Sequence, residues 1–418
     1  MIKILPVVLS SMLLLSNLYA AQEDTQRKRV HSVRKAVDSV AKLEPKEVDI
    51  TQSLKQMFTD GKASGQIRLI YGSHNYKNST DTYATALGGI LKYELAEFNG
   101  FNAGVAFYTS QDLGFATGDG AKHNAELSSS DGSYADLSEA YINYRYQDLN
   151  LRAGRQTLDT PLADSDDIRM IQNTFEAYMA SYDYNGFNFL GGYINSWEGI
   201  DQDLDDGWKT AGEDGVYLGG VSYSDMYEFT AYYYNFAKIF NAFYIDGGIQ
   251  YPISNNYTIH AVLQYLNESE LDNSNVDATI YGGLVEFVAY GVGFNIAYNK
   301  ADKSKKSFSG TGGGKLFTSM DTMIIDEIAI DREAYAVVGG ISYSYKNFNF
   351  LYAYGSFKGD ENSAGIKENI VEQDIGCEYH VNKEFSLAAI YAMSDDKEYS
   401  QTTDYDWRRI QIMLNYNF

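Results

Sequence analysis

Cysteine, proline and histidine are scarce in this 418-residue chain, which has one Cys, four Pro and five His. A single cysteine, Cys377, cannot form an intramolecular disulfide, so a fold held together by such disulfides is excluded. Few prolines leave long stretches in which every backbone N–H can enter a hydrogen-bonded ladder. The histidines show no spacing typical of a metal site; they are His31, His74, His123, His260 and His380.

Long apolar runs are also missing after the first residues. Lys3 is followed by an apolar stretch over 4–15 and by Leu18-Tyr19-Ala20, which predicts a signal peptide over residues 1–20. No later stretch has the roughly 20 apolar residues that a membrane helix needs. The sequence therefore predicts an exported protein without a membrane helix.

Aromatic residues and glycine are abundant, with 37 Tyr, 21 Phe and 37 Gly. Aromatic and β-branched residues favour strands, and disordered chains are poor in aromatics. The formal net charge is −23, because 56 acidic residues face 33 Lys and Arg. This acidic balance argues against a nucleic-acid partner.

One unit repeats from about residue 63 onward: a strand ends in Tyr, a short turn follows, and the next strand opens with an aromatic residue or Leu. Phe187 and Phe189 share one face of such a strand, whereas Asn188 points to the other. A period of two is typical of a strand with one apolar face. The turn Asn185-Gly186 favours a tight β-hairpin.

The pattern predicts an all-β chain of about eighteen strands. Their approximate spans are 64–73, 83–95, 100–108, 135–146, 149–156, 174–184, 187–195, 215–224, 226–234, 240–251, 256–266, 277–289, 291–299, 333–345, 348–356, 369–380, 383–393 and 405–418. Short and long connections alternate, and the long ones cover about 109–134, 157–173, 196–214, 300–332 and 394–404. Bacterial outer-membrane barrels have an even strand number, short periplasmic turns and longer external loops.

Aromatic residues flank the short turns, which places a ring of them at one membrane interface; examples are Tyr184 and Phe187, Tyr345 and Phe348, and Tyr93 and Phe101. The last strand alternates apolar and polar residues up to Phe418, and it resembles the C-terminal recognition signal of outer-membrane proteins. We therefore predict a transmembrane antiparallel β-barrel over residues 61–418, located in the cell outer membrane.

Residues 21–60 lack the strand pattern and form a predicted periplasmic segment. Val30, Val33, Val37 and Val40 lie at helical spacing, and Pro45 would end that helix. The alternatives are a mobile leader, a coil that joins subunits, and a basic arm that touches the cell wall or lipid. The segment is too short to plug a wide barrel, which argues against a ligand-gated transporter.

Closure of the sheet implies a pore. A membrane sheet must pair every backbone group, and a closed sheet of about eighteen strands leaves a lumen wider than its side chains can fill. The inward positions are small, polar or charged, so we expect a water-filled channel. The predicted function is passive diffusion of small hydrophilic solutes; the alternative is an adhesin or structural barrel with incidental conduction.

The segment 154–178 carries a family resemblance. It reads Gly-Arg-Gln, then Pro-Leu, Asp-x-Arg and Phe, at Gly154, Arg155, Gln156, Pro161, Leu162, Asp167, Arg169 and Phe175. It is similar to the segment after the fifth strand of OprD-type (Occ) outer-membrane porins, with Gln172 where that family often has Pro. The resemblance spans about 60–418. It implies an eighteen-stranded barrel, an inward-folded third external loop and a ladder of basic residues that guides carboxylated solutes.

Strand parity identifies candidate ladder residues that point inward on strands one, two, four, five and eighteen; these are Arg68, Lys92, Arg145, Arg152 and Arg409. The third loop supplies further candidates for the constriction, namely Arg155, Asp164, Asp166, Asp167 and Arg169. The three aspartates are expected to face the ladder, and opposed charges would orient dipolar solutes. Arg155 has the parity of an outward residue unless a β-bulge intervenes. The alternative is a set of scattered lumen charges.

Other chemistry is less well supported. The segment 201–213 approaches a calcium loop, with Asp201, Asp203 and Asp205 as weak candidate ligands, but Asp206 replaces the required Gly. No motif gives His74 or His123 a catalytic partner, so neither an enzyme nor a cofactor is expected. The expected partners are outer-membrane lipid, lipopolysaccharide and small solutes such as carboxylates, amino acids or ions. The chain is expected to be a monomer or a homotrimer.

Overall fold

The computed structural model describes residues 50–418 except 168, 200–203, 205, 255, 303–304, 309, 313–314 and 399–405. The predicted signal peptide and the predicted helix over Val30–Val40 lie outside the described residues. So do Asp201, Asp203 and Asp205. None of the helices in the described part is long and apolar enough to cross a membrane.

Eighteen strands of the described chain form one closed antiparallel barrel. They are β1 (Lys62–Tyr76), β2 (Thr82–Glu94), β3 (Phe101–Asp112), β4 (Ser133–Tyr146), β5 (Leu149–Gln156), β6 (Thr174–Tyr184), β7 (Phe187–Glu198), β8 (Val216–Ser224), β9 (Tyr227–Phe236), β10 (Phe240–Ser254), β11 (Tyr257–Glu270), β12 (Ala278–Ala289), β13 (Val292–Ala301), β14 (Ala334–Tyr345), β15 (Phe348–Gly359), β16 (Glu368–His380), β17 (Phe385–Asp396) and β18 (Trp407–Asn417). Each strand pairs with the next, and β18 pairs with β1 from Gln66↔Asn417 to Tyr76↔Trp407. The predicted fold class is confirmed.

Several predicted strands stop too early at the ends opposite the short turns. β1 continues to Tyr76 rather than 73, and β11 continues to Glu270 rather than 266. The apolar alternation ends where the wall leaves the membrane, but the backbone ladder continues because water tolerates polar side chains on both faces.

The outward face of the wall is apolar and the inward face is mostly polar or small. Ile142 on β4 is 63% exposed and Leu263 on β11 is 73% exposed, although both side chains are aliphatic. In β11 the exposed apolar side chains alternate with His260, Gln264 and other buried side chains. Apolar side chains that face outward around a closed sheet match a hydrocarbon environment.

The short turns follow from local backbone chemistry. Asn185 and Gly186 both have positive φ, +48° and +86°, which a two-residue hairpin of the predicted kind requires. Aromatic rings gather beside such turns, as in Phe187–Tyr223 with ring centroids 4.8 Å apart and Phe348–Tyr379 at 4.5 Å. These rings form a girdle at the end of the barrel that carries the short turns.

Within the part of the chain that the structure describes, a helix precedes the barrel. Helix α1 (Ile50–Thr59) lies at the short-turn end, where the Ala96 N–H donates to the Met57 carbonyl at 3.0 Å. The Tyr93 hydroxyl donates to the Phe58 carbonyl. This helix occupies the end of the predicted 21–60 segment.

Three long connections fold against the inner wall: L2 (113–132), L3 (157–173) and L7 (302–333). Within L3, a two-residue hairpin pairs Asp159↔Asp164 and Thr160↔Ala163, and Ala163 forms a parallel bridge to Thr311 of L7. L7 carries the short helix α2 (Ile325–Ile328). Buried apolar residues of L3 and L7 pack against β6–β16, so these loops fill one side of the lumen. The predicted inward fold of the third external loop is confirmed.

Candidate channel constriction

Arg68 on β1 anchors L3 to the wall. Its guanidinium lies 2.8 Å from Asp167 Oδ1 and 3.2 Å from Oδ2, and it also donates to Asn415 Oδ1 at 2.7 Å and to the Arg169 carbonyl. Only 2% of the Arg68 side chain is exposed. The strand and loop pattern predicts Asp167 across a gap from the ladder, whereas Asp167 and Arg68 form a bidentate pair. Arg68 therefore holds a loop in place, and its charge is already balanced.

Two further arginines form an ion-pair cluster, hereafter the four-residue cluster, with Glu126 and Asp321. Arg409 Nη2 lies 2.7 Å from Glu126 Oε2 and its Nη1 lies 2.7 Å from Asp321 Oδ2. Arg169 approaches the same two carboxylates, with Nε 3.3 Å from Glu126 and Nη1 3.6 Å from Asp321. L2, L3 and L7 thus meet at β18 through two positive and two negative side chains.

Burial alone would raise the pKa of Glu126, but the two guanidinium groups outweigh it. Arg409 and then Arg169 lower the pKa of Glu126 to about 2. Glu126 therefore stays ionised throughout the pH range in which outer membranes function.

The tip of L7 is fixed by two acidic residues of β16. The N–H groups of Thr322 and Met323 donate to Glu372 at 3.0 and 2.8 Å, and the Asp321 N–H donates to Asp374 at 3.1 Å. Both carboxylates are almost completely buried. Asp321 is consequently held by its backbone as well as by its side chain.

L3 and L7 share a second polar contact near the hairpin of L3. Lys315 of L7 lies 2.9 Å from Asp159 Oδ1. Burial and the nearby Asp159 raise the pKa of Asp164 to about 6, while Lys315 opposes this shift. Asp166 stands at the bend after Asp164, with φ of +22° and its N–H 3.3 Å from Asp164 Oδ1. Asp164 and Asp166 therefore border the L3–L7 contact, and Asp167 alone of the three binds a ladder residue in the described structure.

Lys92 on β2 also has a partner that the sequence pattern did not reveal. Its Nζ lies 2.8 Å from Glu139 Oε2 on β4, and the Tyr108 hydroxyl donates to Glu139 Oε1 at 3.0 Å. Gln172 of L3 donates to the same hydroxyl at 2.9 Å. Gln172 thus links L3 to the wall by a hydrogen bond that proline could not make.

Arg152 on β5 and Arg145 on β4 lie nearer the short turns and have different surroundings. Arg152 donates to Asn143 Oδ1 at 3.2 Å, and its guanidinium lies 4.4 Å from the centre of the Tyr141 ring. Arg145 has the inward parity of Asn143 and is exposed. Within the described residues no carboxylate lies at ion-pair distance from either arginine.

Arg155 does not join these residues. It stands outward on β5, where it pairs with Asp136 at 3.4 Å and stacks on Trp208 with 4.4 Å to the ring centre. Its parity is that of an outward residue, and its side chain contacts Asp136 of the wall and Trp208 of the connection after β7. Arg155 is therefore not placed in the constriction with Arg169.

Acidic residues collect on strands far from the ladder. Glu228 on β9 lies 2.6 Å from His260 Nε2 on β11, and Glu286 on β12 is the register partner of His260. All three residues have inward parity, and His260 and Glu286 are only 2% exposed. The lumen therefore carries a basic wall at β1–β5 and β18 and acidic side chains on β9–β12 and β16.

One arrangement resembles hydrolase machinery. The Ser128 hydroxyl lies 3.1 Å from His123 Nε2, and His123 Nδ1 lies 3.9 Å from Asp112. Ser128 is completely buried, so its oxygen cannot reach a substrate carbonyl. This set fastens L2 internally. No group of three or more His, Cys, Asp or Glu residues suited to a metal ion occurs in the described part of the chain.

Comparison with known proteins agrees with this architecture. The model of the family "outer membrane porin, OprD family" matches residues 55–334. The crystal structure of Acinetobacter baumannii OccAB3 superposes with a TM-score of 0.75 at 16% identity, covering 86% of this chain and 99% of that chain. Pseudomonas aeruginosa OpdK with vanillate gives 0.73 at 16% identity, over 86% and 99%. A BenF-like porin from Pseudomonas fluorescens gives 0.74 at 14% identity, over 86% and 98%. No curated protein sequence matches the chain.

A closed barrel of eighteen strands, with inward-folded loops and a charged lumen, defines a porin that passes small solutes through the outer membrane. The family match covers two thirds of the chain, so the chain belongs to the OprD family of outer membrane porins. The alternative of an adhesin is not supported.

Proposed function

We propose that this porin admits small hydrophilic solutes that carry a carboxylate, and that the basic wall guides that carboxylate through the lumen. The observation that carries the proposal is the change in partners along the wall. At the level of the loops Arg409 and Arg68 bind carboxylates of the protein, whereas Arg152 binds Asn143 and Tyr141.

The strand register gives the spacing between successive cations of the basic wall. Arg409 pairs with residue 74 of β1, and Lys92 pairs with residue 64. Arg68 lies between these two positions, six residues from the first and four from the second. At about 3.4 Å per residue, successive cations are about 20 Å and about 14 Å apart along the strand. Lys92 is neutralised by Glu139, so an anion that passes L3 meets its next uncompensated positive charges at Arg152 and Arg145.

Arginine suits this role because its planar guanidinium binds a carboxylate through two parallel hydrogen bonds. The Tyr141 ring holds one face of Arg152 and leaves its donor edge for a solute. The relative OpdK was crystallised with vanillate, whose anionic group is a carboxylate. The acidic side chains on β9–β12 would repel the carboxylate and so keep it near the basic wall.

The solute is proposed to pass unchanged, without catalysis. We further propose that lipid surrounds the apolar wall and that lipopolysaccharide contacts its outer edge. There Lys358 on β15 is an exposed outward cation, two strands from Lys300 on β13 in the register. Both the monomer and the homotrimer fit such a surface, and crosslinking in detergent distinguishes them.

Reversal potentials across a planar bilayer test the guiding charge, with Arg152→Gln compared with the wild type and with Arg155→Gln. Removal of one charge about 7 Å from the ion path costs an anion about 0.6 kcal/mol and favours a cation by the same amount, so the anion-to-cation permeability ratio should fall about sevenfold in Arg152→Gln. Arg155→Gln loses the same charge three residues away but faces outward, and it should behave like the wild type. Equal ratios in all three channels would refute the proposal, and so would failure of a carboxylate such as benzoate to carry current.

A further inference from the structure

The four-residue cluster has an unusual acceptor. Arg169 of L3 and Arg409 of β18 both contact Glu126, and both use the same carboxylate oxygen, Oε2, at 3.3 and 2.7 Å. Carboxylates bind a guanidinium most strongly when both oxygens are used. Glu126 therefore binds both arginines through one oxygen, and it makes fewer hydrogen bonds to them than a free carboxylate could make with two oxygens.

The exposure of the four side chains is unequal. Arg169, Arg409 and Asp321 are 9%, 3% and 7% exposed, whereas Glu126 is 40% exposed. Glu126 is thus the member in contact with the lumen water and covers a buried pair of guanidinium groups. A solute that enters the channel meets Glu126 before it can meet either arginine.

Glu126 is also the member with the weaker attachment. Asp321 is fixed by its backbone hydrogen bond to Asp374 and by the neighbouring bonds to Glu372. Glu126 extends from a turn of L2, where its N–H donates to Asn124 Oδ1 at 3.1 Å. Rotation of its side chain does not require L2 to move, because the Leu127 N–H closes the turn by donating to the Asn124 carbonyl at 3.2 Å.

We infer that Arg169 and Arg409 form a carboxylate-binding site at the constriction and that Glu126 occupies this site until a solute carboxylate displaces it. This inference rests on the carboxylate preference proposed above and adds a second binding point to it. The exchange is neutral, since one carboxylate leaves the arginines for water while another arrives. Asp321 stays bound to both arginines throughout, so neither buried charge is left without a partner.

Glu126 then sets the threshold for solute binding. Being fully ionised, it competes with the solute at every working pH. A solute carboxylate can give each guanidinium an oxygen of its own, whereas chloride offers one atom to both, so the site should bind carboxylates more tightly than simple anions.

The test compares Glu126→Gln with the wild type and with Asp119→Asn in planar bilayers, using benzoate as the probe. Asp119 is an exposed acid of the same loop L2, so its substitution removes the same charge from the same loop. The dissociation constant of benzoate, measured from interruptions of the potassium current, should fall about tenfold in Glu126→Gln, because the competing side chain loses one charge-assisted hydrogen bond. Asp119→Asn should match the wild type.

Three outcomes would overturn the inference. Equal benzoate affinity in Glu126→Gln and the wild type would show that Glu126 is not a competitor. An equal gain in benzoate affinity in Asp119→Asn would mean that the effect comes only from the net charge of L2. A crystal structure of the wild type with benzoate, in which Glu126 keeps both arginines, would exclude displacement even if the variant failed to fold. The proposed carboxylate preference would be refuted by a different result, namely that benzoate changes the current of neither the wild type nor Arg152→Gln.

Discussion

Arg68 and Asp167 form a bidentate ion pair at 2.8 and 3.2 Å, although 99 residues separate them in the chain. The pair joins the first barrel strand to the loop between the fifth and sixth strands. It fixes L3 against the inner wall of the barrel.

Asp167→Asn should release L3. Loss of the partner leaves the buried Arg68 charge uncompensated, which costs about 3–5 kcal/mol. We expect unstable, larger single-channel currents and faster proteolysis of L3 in intact cells. Asp166→Asn removes the same charge one residue earlier and serves as the control, because Asp166 is not among the described partners of Arg68. Steady wild-type currents in Asp167→Asn would mean that the apolar packing of L3 suffices.

Ion selectivity should change with pH near the L3 hairpin. The pKa of Asp164 is raised to about 6, so this carboxylate is ionised at pH 8 and protonated at pH 5. Acidification therefore removes a negative charge beside Lys315 and should lower cation permeability. Asp164→Asn should abolish the step in reversal potential near pH 6, and a step that persists in this variant would assign it to another group.

The same shift affects stability with a definite sign. Because the folded pKa lies above the ordinary value of 3.8, the stabilisation by protonated Asp164 is present at low pH and lost as the pH rises through about 6. Asp164→Asn should accordingly raise the thermal midpoint of L3 unfolding at pH 8 relative to the wild type and leave it similar at pH 4.

Gly312→Ala should separate L7 from L3. A Cβ at Gly312, which has φ of +74°, would stand 2.3 Å from the Asp164 carbonyl oxygen and 2.7 Å from the Asn173 amide. The backbone of L3 cannot yield so far without losing the Ala163–Thr311 bridge. Single-channel conductance should rise. Gly219→Ala is the matched control, since a Cβ there meets nothing within 4 Å; a rise in both variants would contradict the explanation.

Cys377 offers a direct test of which face touches lipid. It stands on β16 with outward parity, between Phe350 and Ala389 in the register. A nitroxide on Cys377 in membranes should collide with oxygen much more often than with a water-soluble nickel chelate. Ser363→Cys in a Cys377→Ser background places the label in the exposed connection between β15 and β16, where the preference should reverse. Equal chelate contact at both positions would argue against a lipid-facing β16.

The barrel was predictable because its determinants are local. Alternation, turn residues such as Asn185-Gly186 and the sorting of loop lengths each depend on neighbours in sequence, and together they predicted the strand number. Strand parity also predicted that Arg68, Lys92, Arg152 and Arg409 point inward. The predicted strand ends were wrong because the apolar alternation covers only the part of each strand in the membrane, whereas the backbone hydrogen bonds continue beyond it.

The partners of those charges could not be read from the sequence. Lys92 contacts Glu139 because β2, β3 and β4 are adjacent and the two side chains share one register position and the inward face. Their common inward parity could have suggested this contact. Glu126 and Asp321 reach Arg409 through the folded paths of L2 and L7, and no periodicity describes such paths. The sequence predicted a ladder of free cations, whereas in the structure the cations at the level of the loops are neutralised by carboxylates of the protein.

The pairing of β1 with β18 has a consequence for biogenesis. Gln66 and Asn417 face each other across 351 residues, and each contact along this seam joins the beginning of the barrel to its end. Until that seam forms, the nascent sheet exposes two strand edges whose donors and acceptors lipid cannot satisfy. Both edges must therefore stay shielded from lipid until the seam closes, and mutations that weaken the seam should slow assembly in cells far more than they alter conduction of the finished channel.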